Sequence, residues 1–132
     1  MHKGSCLCGA VAYELSGDIE QFYYCHCKRC RKSNGAAFNA VAPLPLNQFK
    51  IVKGEDKLKA FEYEGGADRY FCTQCGSALF SKRKAIPDMV RIRIGSLDTP
   101  ISAKVSMHIY VGSKAEWYDI CDNAPQFEER AS

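Results

Sequence analysis

Apolar side chains along this chain recur mostly at every second position, the period of a half-buried strand rather than of a helix. Val90-Arg91-Ile92-Arg93-Ile94 alternates strictly, which predicts one buried and one outward face. Residues 10–15 and 21–24 are rich in β-branched or aromatic side chains. Residues 38–42, 49–52, 58–63, 69–72 and 105–111 read the same way, with turn signals at Gly54, Gly65-Gly66 and Asp98-Thr99-Pro100. No window of a dozen residues carries a 3.6-residue apolar period. Helix is therefore expected only as short turns: after Pro45, around Asn47, and over residues 113–117, where Ser113 can cap and Glu116 sits three positions later. Residues 128–132 read as a frayed tail. The pattern predicts a mostly β fold in a single domain over residues 1–132, with no internal repeat and no linker.

Composition narrows the function classes. A hydrophobic fraction of 46% in 132 residues is enough for one buried core. The charge balance, 18 Lys+Arg against 15 Asp+Glu for a net +3, is too mild for a dedicated duplex-DNA binder and makes a nucleic-acid partner unexpected. The apolar stretch over residues 36–46 is far short of the roughly 18–20 residues a bilayer helix needs, and Asn39, Pro43 and Pro45 interrupt it, so no membrane partner is expected. The opening Met1-His2-Lys3-Gly4-Ser5-Cys6 has no apolar segment of a secretion signal, and a cytoplasmic protein is the expectation.

The eight cysteines change the picture most. They fall into Cys6-x-Cys8, Cys25-x-Cys27-x-x-Cys30, Cys72-x-x-Cys75 and a lone Cys121. Cysteines one residue apart reach disulfide geometry only with strain, whereas one tetrahedral zinc accepts two sulfurs from a tight turn at about 2.3 Å each. A glycine follows Cys8 and another follows Cys75, as a metal knuckle needs for its backbone to turn. A closed structural zinc takes four protein ligands and a catalytic zinc three. The simplest division of the seven clustered cysteines is therefore Cys6, Cys8, Cys72 and Cys75 around one ion, with Cys25, Cys27 and Cys30 around a second. The rival division, Cys6 and Cys8 with two of the middle cysteines, leaves an awkward remainder. His26 stands between two of the middle cysteines and is a candidate fourth ligand there, although a residue between two ligands usually points away. Iron bound by thiolates remains a further alternative to zinc. Cys121 is expected to be a small buried hydrophobe.

With these motifs in view, the chain resembles the glutathione-dependent formaldehyde-activating family, also called centromere-protein-V-like. Gly4-Ser5-Cys6-Leu7-Cys8-Gly9-Ala10-Val11, Cys25-His26-Cys27-Lys28-Arg29-Cys30-Arg31-Lys32-Ser33 and Phe71-Cys72-Thr73-Gln74-Cys75-Gly76 match its three motifs in order. The run Ile94-Gly95-Ser96-Leu97-Asp98 and the ending His108-Ile109-Tyr110-Val111 with Trp117 are similar too. The resemblance implies a β-tent fold of the Mss4-like kind. It also implies two zinc ions: a structural one on Cys6, Cys8, Cys72 and Cys75, and a catalytic one on Cys25, Cys27 and Cys30. The implied reaction condenses glutathione with formaldehyde to S-hydroxymethylglutathione, a carbon–sulfur lyase in reverse.

The charge of such a site suits that chemistry. Zinc with three thiolates carries a formal charge of about −1, which makes it a poor activator of water and a good host for a fourth, soft sulfur ligand. Lys28, Arg29, Arg31 and Lys32 follow the middle cysteines, and Arg31 and Lys32 are the candidates for binding the carboxylates of a small thiol such as glutathione. Otherwise these four form a solvated turn. His108 and Asp98 are candidate proton carriers, with a structural histidine and a turn aspartate as the plainer reading. Arg69, Arg91 and Arg93 read as strand-surface charges, and Phe22-Tyr23-Tyr24 as core. The alternative to an enzyme is a non-catalytic zinc module that contacts protein or nucleic acid.

Overall fold

In the computed structural model, which describes residues 1–130, the chain is mostly β. Its elements are β1 (His2–Ser5), β2 (Ala12–Leu15), β3 (Tyr23–Cys25), α1 (Lys28–Asn34), β4 (Asn39–Pro45), β5 (Phe49–Lys53), β6 (Leu58–Phe61), β7 (Asp68–Cys72), β8 (Ala78–Arg83), β9 (Ile86–Arg93) and β10 (Met107–Ile109). Short 3-10 turns lie at Leu46–Gln48, Glu55–Lys57, Ile94–Ser96 and Val111–Ser113. The chain divides into two compact units: Met1–Ile19 together with Ala42–Ser102, and Glu20–Val41 together with the segment from Ala103 onward.

In the first unit, β2 lies between β1 and β5 in an antiparallel sheet, with Ser5 opposite Ala12 and Leu15 opposite Phe49. The strands β9, β8, β7 and β6 follow one another in a second antiparallel array. The alternating side chains pack inward: Val11, Tyr13, Leu15, Leu79, Val90 and Ile92 are all buried, each aliphatic one stabilising the fold by about 1.5–3 kcal/mol. Aromatic rings thread this core from Tyr13 through Phe49 and Phe80 to Tyr70, with centroids 5.5, 4.8 and 4.6 Å apart.

In the second unit, β3 pairs in parallel with β10, setting Tyr23 opposite Met107 and Cys25 opposite Ile109. On its other side β3 pairs antiparallel with the start of β4, Cys25 opposite Asn39. The helix α1 starts at Cys27, whose sulfur accepts the Cys30 N–H, and stops at Gly35, which takes the left-handed φ of 64°.

Several expectations need correction. The basic stretch Lys28–Lys32 is the body of α1 rather than a turn. Its seven residues are too few to show a period. β1 and β8 were not expected, because His2-Lys3-Gly4-Ser5 is polar and β8 mixes Ser81 and Lys82 into its run. β4 extends through Pro43 to Pro45 instead of stopping at residue 42. Its pairing with β3 ends at Val41, so neither proline has to donate to that neighbour. The capping box over residues 113–117 does not form; the chain instead turns at Val111–Ser113 with Tyr110 at a φ of 57°. Arg93 is buried, not a surface charge. Within the expected tail, Glu128 and Glu129 are tied down: Glu129 O accepts the Tyr110 N–H and Glu128 O the Gly112 N–H. The rest of the expected tail, residues 131 and 132, lies outside the described residues.

Candidate functional site

Two cysteine clusters form, one in each unit. The sulfurs of Cys6, Cys8, Cys72 and Cys75 all lie within 4.8 Å of one another, and so do those of Cys25, Cys27 and Cys30.

The four-cysteine cluster is built by two similar hairpin knuckles of the first unit. Cys6 accepts the Gly9 N–H on its carbonyl, as Cys72 accepts that of Gly76. Gly9 and Gly76 share a φ of +79°, the left-handed region that other residues enter at a cost. Backbone amides then point at sulfur: Val11 N–H at Cys6 Sγ (3.3 Å) and Gln74 N–H at Cys72 Sγ (3.4 Å). Cys75 Sγ is 3.2 Å from the Ser77 hydroxyl, whose oxygen accepts the Leu7 N–H. That hydroxyl, then the Ser77 N–H and the Cys8 N–H, bring the Cys75 thiol down to about 5. The Ala10 N–H favours the Cys8 thiolate, but desolvation and hydrogen bonding with Cys6, Cys75 and Cys72 outweigh it and push Cys8 up to about 11. Cys6 is raised by burial, yet hydrogen bonds from Val11 N–H, Cys8 and Cys72 carry it below its ordinary value. Two sulfurs of this cluster, those of Cys6 and Cys75, are thus biased toward thiolate. The S···S distances are 3.7 Å between Cys6 and Cys8 and 3.8 Å between Cys8 and Cys72. A tetrahedron with 2.3 Å metal–sulfur bonds has edges of about 3.8 Å, so the donor set fits a metal ion.

The three-cysteine cluster sits where β3 ends and α1 begins. Cys25, Cys30 and Ile109 are buried together, with Tyr23, Cys27, Met107, Tyr110 and Phe127 packed against them. Negative charge concentrates on Cys27. Hydrogen bonds from Cys25 and Cys30, and then from the Cys30 and Arg29 N–H groups, hold its thiol far below the ordinary range. The same sharing with Cys27 and Cys30, reinforced by burial, drives Cys25 upward. Three thiols that cannot all ionise beside one another form a donor set able to hold a cation, whose charge would offset theirs.

His26 is not gathered with these sulfurs. Its buried ring points to His108 instead: His26 Nε2 and His108 Nδ1 are 2.9 Å apart, and His108 Nε2 lies 3.0 Å from both Asp122 carboxylate oxygens. Burial first, then the charges of His108, Lys114 and Arg31, lower His26 to about 4 against the pull of Asp122. Tyr24 and Phe38 stack at 4.0 Å beside this pair, so the run Phe22–Tyr24 builds the wall around the histidines as well as core. Arg31 is half-buried, whereas Lys28, Arg29 and Lys32 are exposed. Asp98 belongs to the first unit, where its carboxylate accepts the Ser5 hydroxyl at 2.7 Å. Cys121 is exposed, contrary to expectation, on the loop that carries Asp119 and Asp122. Asp122 was missed by sequence reasoning, since a lone aspartate in a loop carries no signal of its partner.

A mostly β scaffold with one short helix and two thiol clusters, four sulfurs and three, each able to hold a metal ion, defines a small protein with two candidate metal centres. The chain belongs to the glutathione-dependent formaldehyde-activating enzyme family, whose model matches residues 1–113. A protein of Aspergillus flavus named "Putative glutathione-dependent formaldehyde-activating enzyme" is 28% identical over 124 residues, covering 92% of this chain and 56% of the relative. A Halomonas elongata protein of the same name is 26% identical over 125 residues, 89% of this chain and 80% of that one. The chain thus spans little more than half the length of the Aspergillus relative. A crystal structure of a Rhodobacter sphaeroides protein superimposes with a TM-score of 0.62 at 25% identity, over 78% of this chain and 96% of that one. Among the described residues, no helix is long and apolar enough to cross a membrane.

Proposed function

We propose that residues 1–132 work as one zinc-dependent domain that forms or cleaves a thiol–aldehyde adduct, with glutathione the first candidate thiol and S-hydroxymethylglutathione the adduct. The observation that carries this reading is the difference between the clusters: four sulfurs converge in one, and only three in the other. On this reading Cys6, Cys8, Cys72 and Cys75 hold a structural zinc, and Cys25, Cys27 and Cys30 hold a second zinc with one position left for substrate. Zinc bound there would supply a thiol-acidifying charge, so that the incoming sulfur is nucleophilic at neutral pH.

The chemistry balances without a further reactant. The thiol sulfur loses its proton and forms a bond to the aldehyde carbon; the carbonyl π pair moves to oxygen, which takes a proton. Cleavage runs the same steps backward. On this reading Arg31 and Lys32, which follow Cys30 in α1, bind the carboxylates of the peptide thiol through charge-assisted hydrogen bonds. Reduced thiols and a reducing cytoplasm go together on this reading.

Exchange NMR on the zinc-loaded protein tests it, by following interconversion of glutathione plus formaldehyde with the adduct. Acceleration of at least tenfold over the uncatalysed rate, abolished in Cys27→Ser, is the expected result. No acceleration by protein carrying two zinc equivalents would reject the lyase and leave a non-catalytic zinc module.

A further inference from the structure

The chain Asp122–His108–His26 is not used by the function proposed above, and it ends on an unmet demand. His26 is fully buried, and its Nδ1 has no protein hydrogen-bond partner. Leaving a buried acceptor or donor unmatched costs about 1–3 kcal/mol, so such an atom calls for a ligand or a role. Arg31, the residue after Cys30, has a buried Nε in the same condition. Two buried polar atoms without protein hydrogen-bond partners thus belong to residues next in sequence to cysteines of the three-cysteine cluster.

Which of the two His26 Nδ1 is follows from the far end. An ionised carboxylate has no hydrogen to give, and both Asp122 oxygens face His108 Nε2. That nitrogen must carry the hydrogen. When the His108 ring carries only that hydrogen, its Nδ1 is bare and can only accept, so His26 Nε2 donates across the 2.9 Å contact. His26 Nδ1 is left as a lone pair. Asp122 is itself anchored by accepting the Ala124 N–H at 3.0 Å, and it lies beyond the residues that the family model matches.

We propose that Asp122 is a positioning residue: acting through His108, it fixes His26 with Nδ1 as an acceptor, which, paired with the Arg31 donor, recognises a hydroxyl group on the ligand of the three-cysteine site. A hydroxyl both gives and accepts a hydrogen bond, so it satisfies the two orphans together, whereas a bare thiol has only a weak S–H donor. This selects the hydroxymethyl adduct over the free thiol. The inference rests on the proposed function for the identity of the ligand, but the tautomer it assigns does not.

The test uses full-length zinc-loaded protein labelled with 15N-histidine. Long-range 1H–15N correlation is expected to show His26 and His108 both protonated at Nε2 and bare at Nδ1. In Asp122→Asn, whose amide can donate to His108 Nε2, both tautomers should reverse. Binding of the adduct, made from glutathione and formaldehyde, should weaken about tenfold in that variant, the value of one hydrogen bond of about 1.4 kcal/mol, with free-glutathione affinity unchanged. A proton on His26 Nδ1 in the wild-type protein would overturn the assignment, and that measurement needs no variant to fold. Equal weakening for adduct and free glutathione would overturn the hydroxyl selectivity. If neither ligand binds the wild-type protein, the proposed function and the hydroxyl selectivity fail together, while the tautomer result still decides the role of Asp122.

Discussion

At the scale of the residue, what was readable from sequence was whatever chemistry packs into a few adjacent positions. One- and two-residue spacings restrict cysteine to a small menu of geometries, so the grouping of sulfurs was legible before any fold was known. The histidine pair was not, because 82 positions separate His26 from His108 and no local pattern connects them. Gly76 is a position where local and global demands coincide: nothing lies within 4 Å of a side chain built there, yet its φ is +79°. Gly76→Ala should therefore cost about 1–2 kcal/mol from backbone conformation alone. Thermal unfolding should show the loss with metal content unchanged, and an undiminished Tm would contradict the conformational account. Tyr13 gives a second residue-scale prediction. Burial first, opposed by the Ser96 hydroxyl and aided by Asp98, raises it from the ordinary 10.0 to about 12. A raised acid holds its proton longer in the folded chain, so its stabilisation is complete below the unfolded value and is lost as pH rises through the folded one. The loss should reach about 1.4 kcal/mol near pH 11. Urea unfolding of wild type and Tyr13→Phe at about pH 9 and pH 11 should show that difference in slope; parallel behaviour would mean that Tyr13 ionises freely.

At the scale of the element, strands with one apolar face were legible and elements defined by their partners were not. β2, β5 and β7 carry their own alternation or branched residues. β1 is a strand only because β2 lies beside it, and α1 is a helix because the Cys27 sulfur accepts the Cys30 N–H at one end and Gly35 closes the other. Element-scale geometry also says which cysteines matter most to folding. Cys72 ends β7 in full burial and, with Cys75, ties its knuckle to that of Cys6 and Cys8. With zinc supplying folding free energy on the order of 10 kcal/mol at structural sites, Cys72→Ser should yield insoluble or unfolded protein. Cys27 is only half-buried at the mouth of α1, so Cys27→Ser should stay folded by circular dichroism and lose one metal. Indistinguishable behaviour of the two variants would remove the distinction between a structural and a catalytic centre.

At the scale of the molecule, the two clusters fall in different compact units, each of which contains its own set of sulfurs. Metal analysis should approach two zinc equivalents per chain, and a mild chelator should remove one of them first, from the site with three protein ligands. Release of both together would show that the ligand counts do not differ as proposed. The central claim is that the three-cysteine site accepts the sulfur of a small thiol. Cobalt substitution tests it most directly, because thiolate ligands give a sulfur-to-metal charge-transfer absorption that grows with each added sulfur. Titrating cobalt-loaded protein with glutathione should intensify that band, and S-methylglutathione, which keeps the carboxylates but cannot offer a thiolate, should leave it unchanged. Equal responses to both, or none to either at millimolar concentration, would contradict the account.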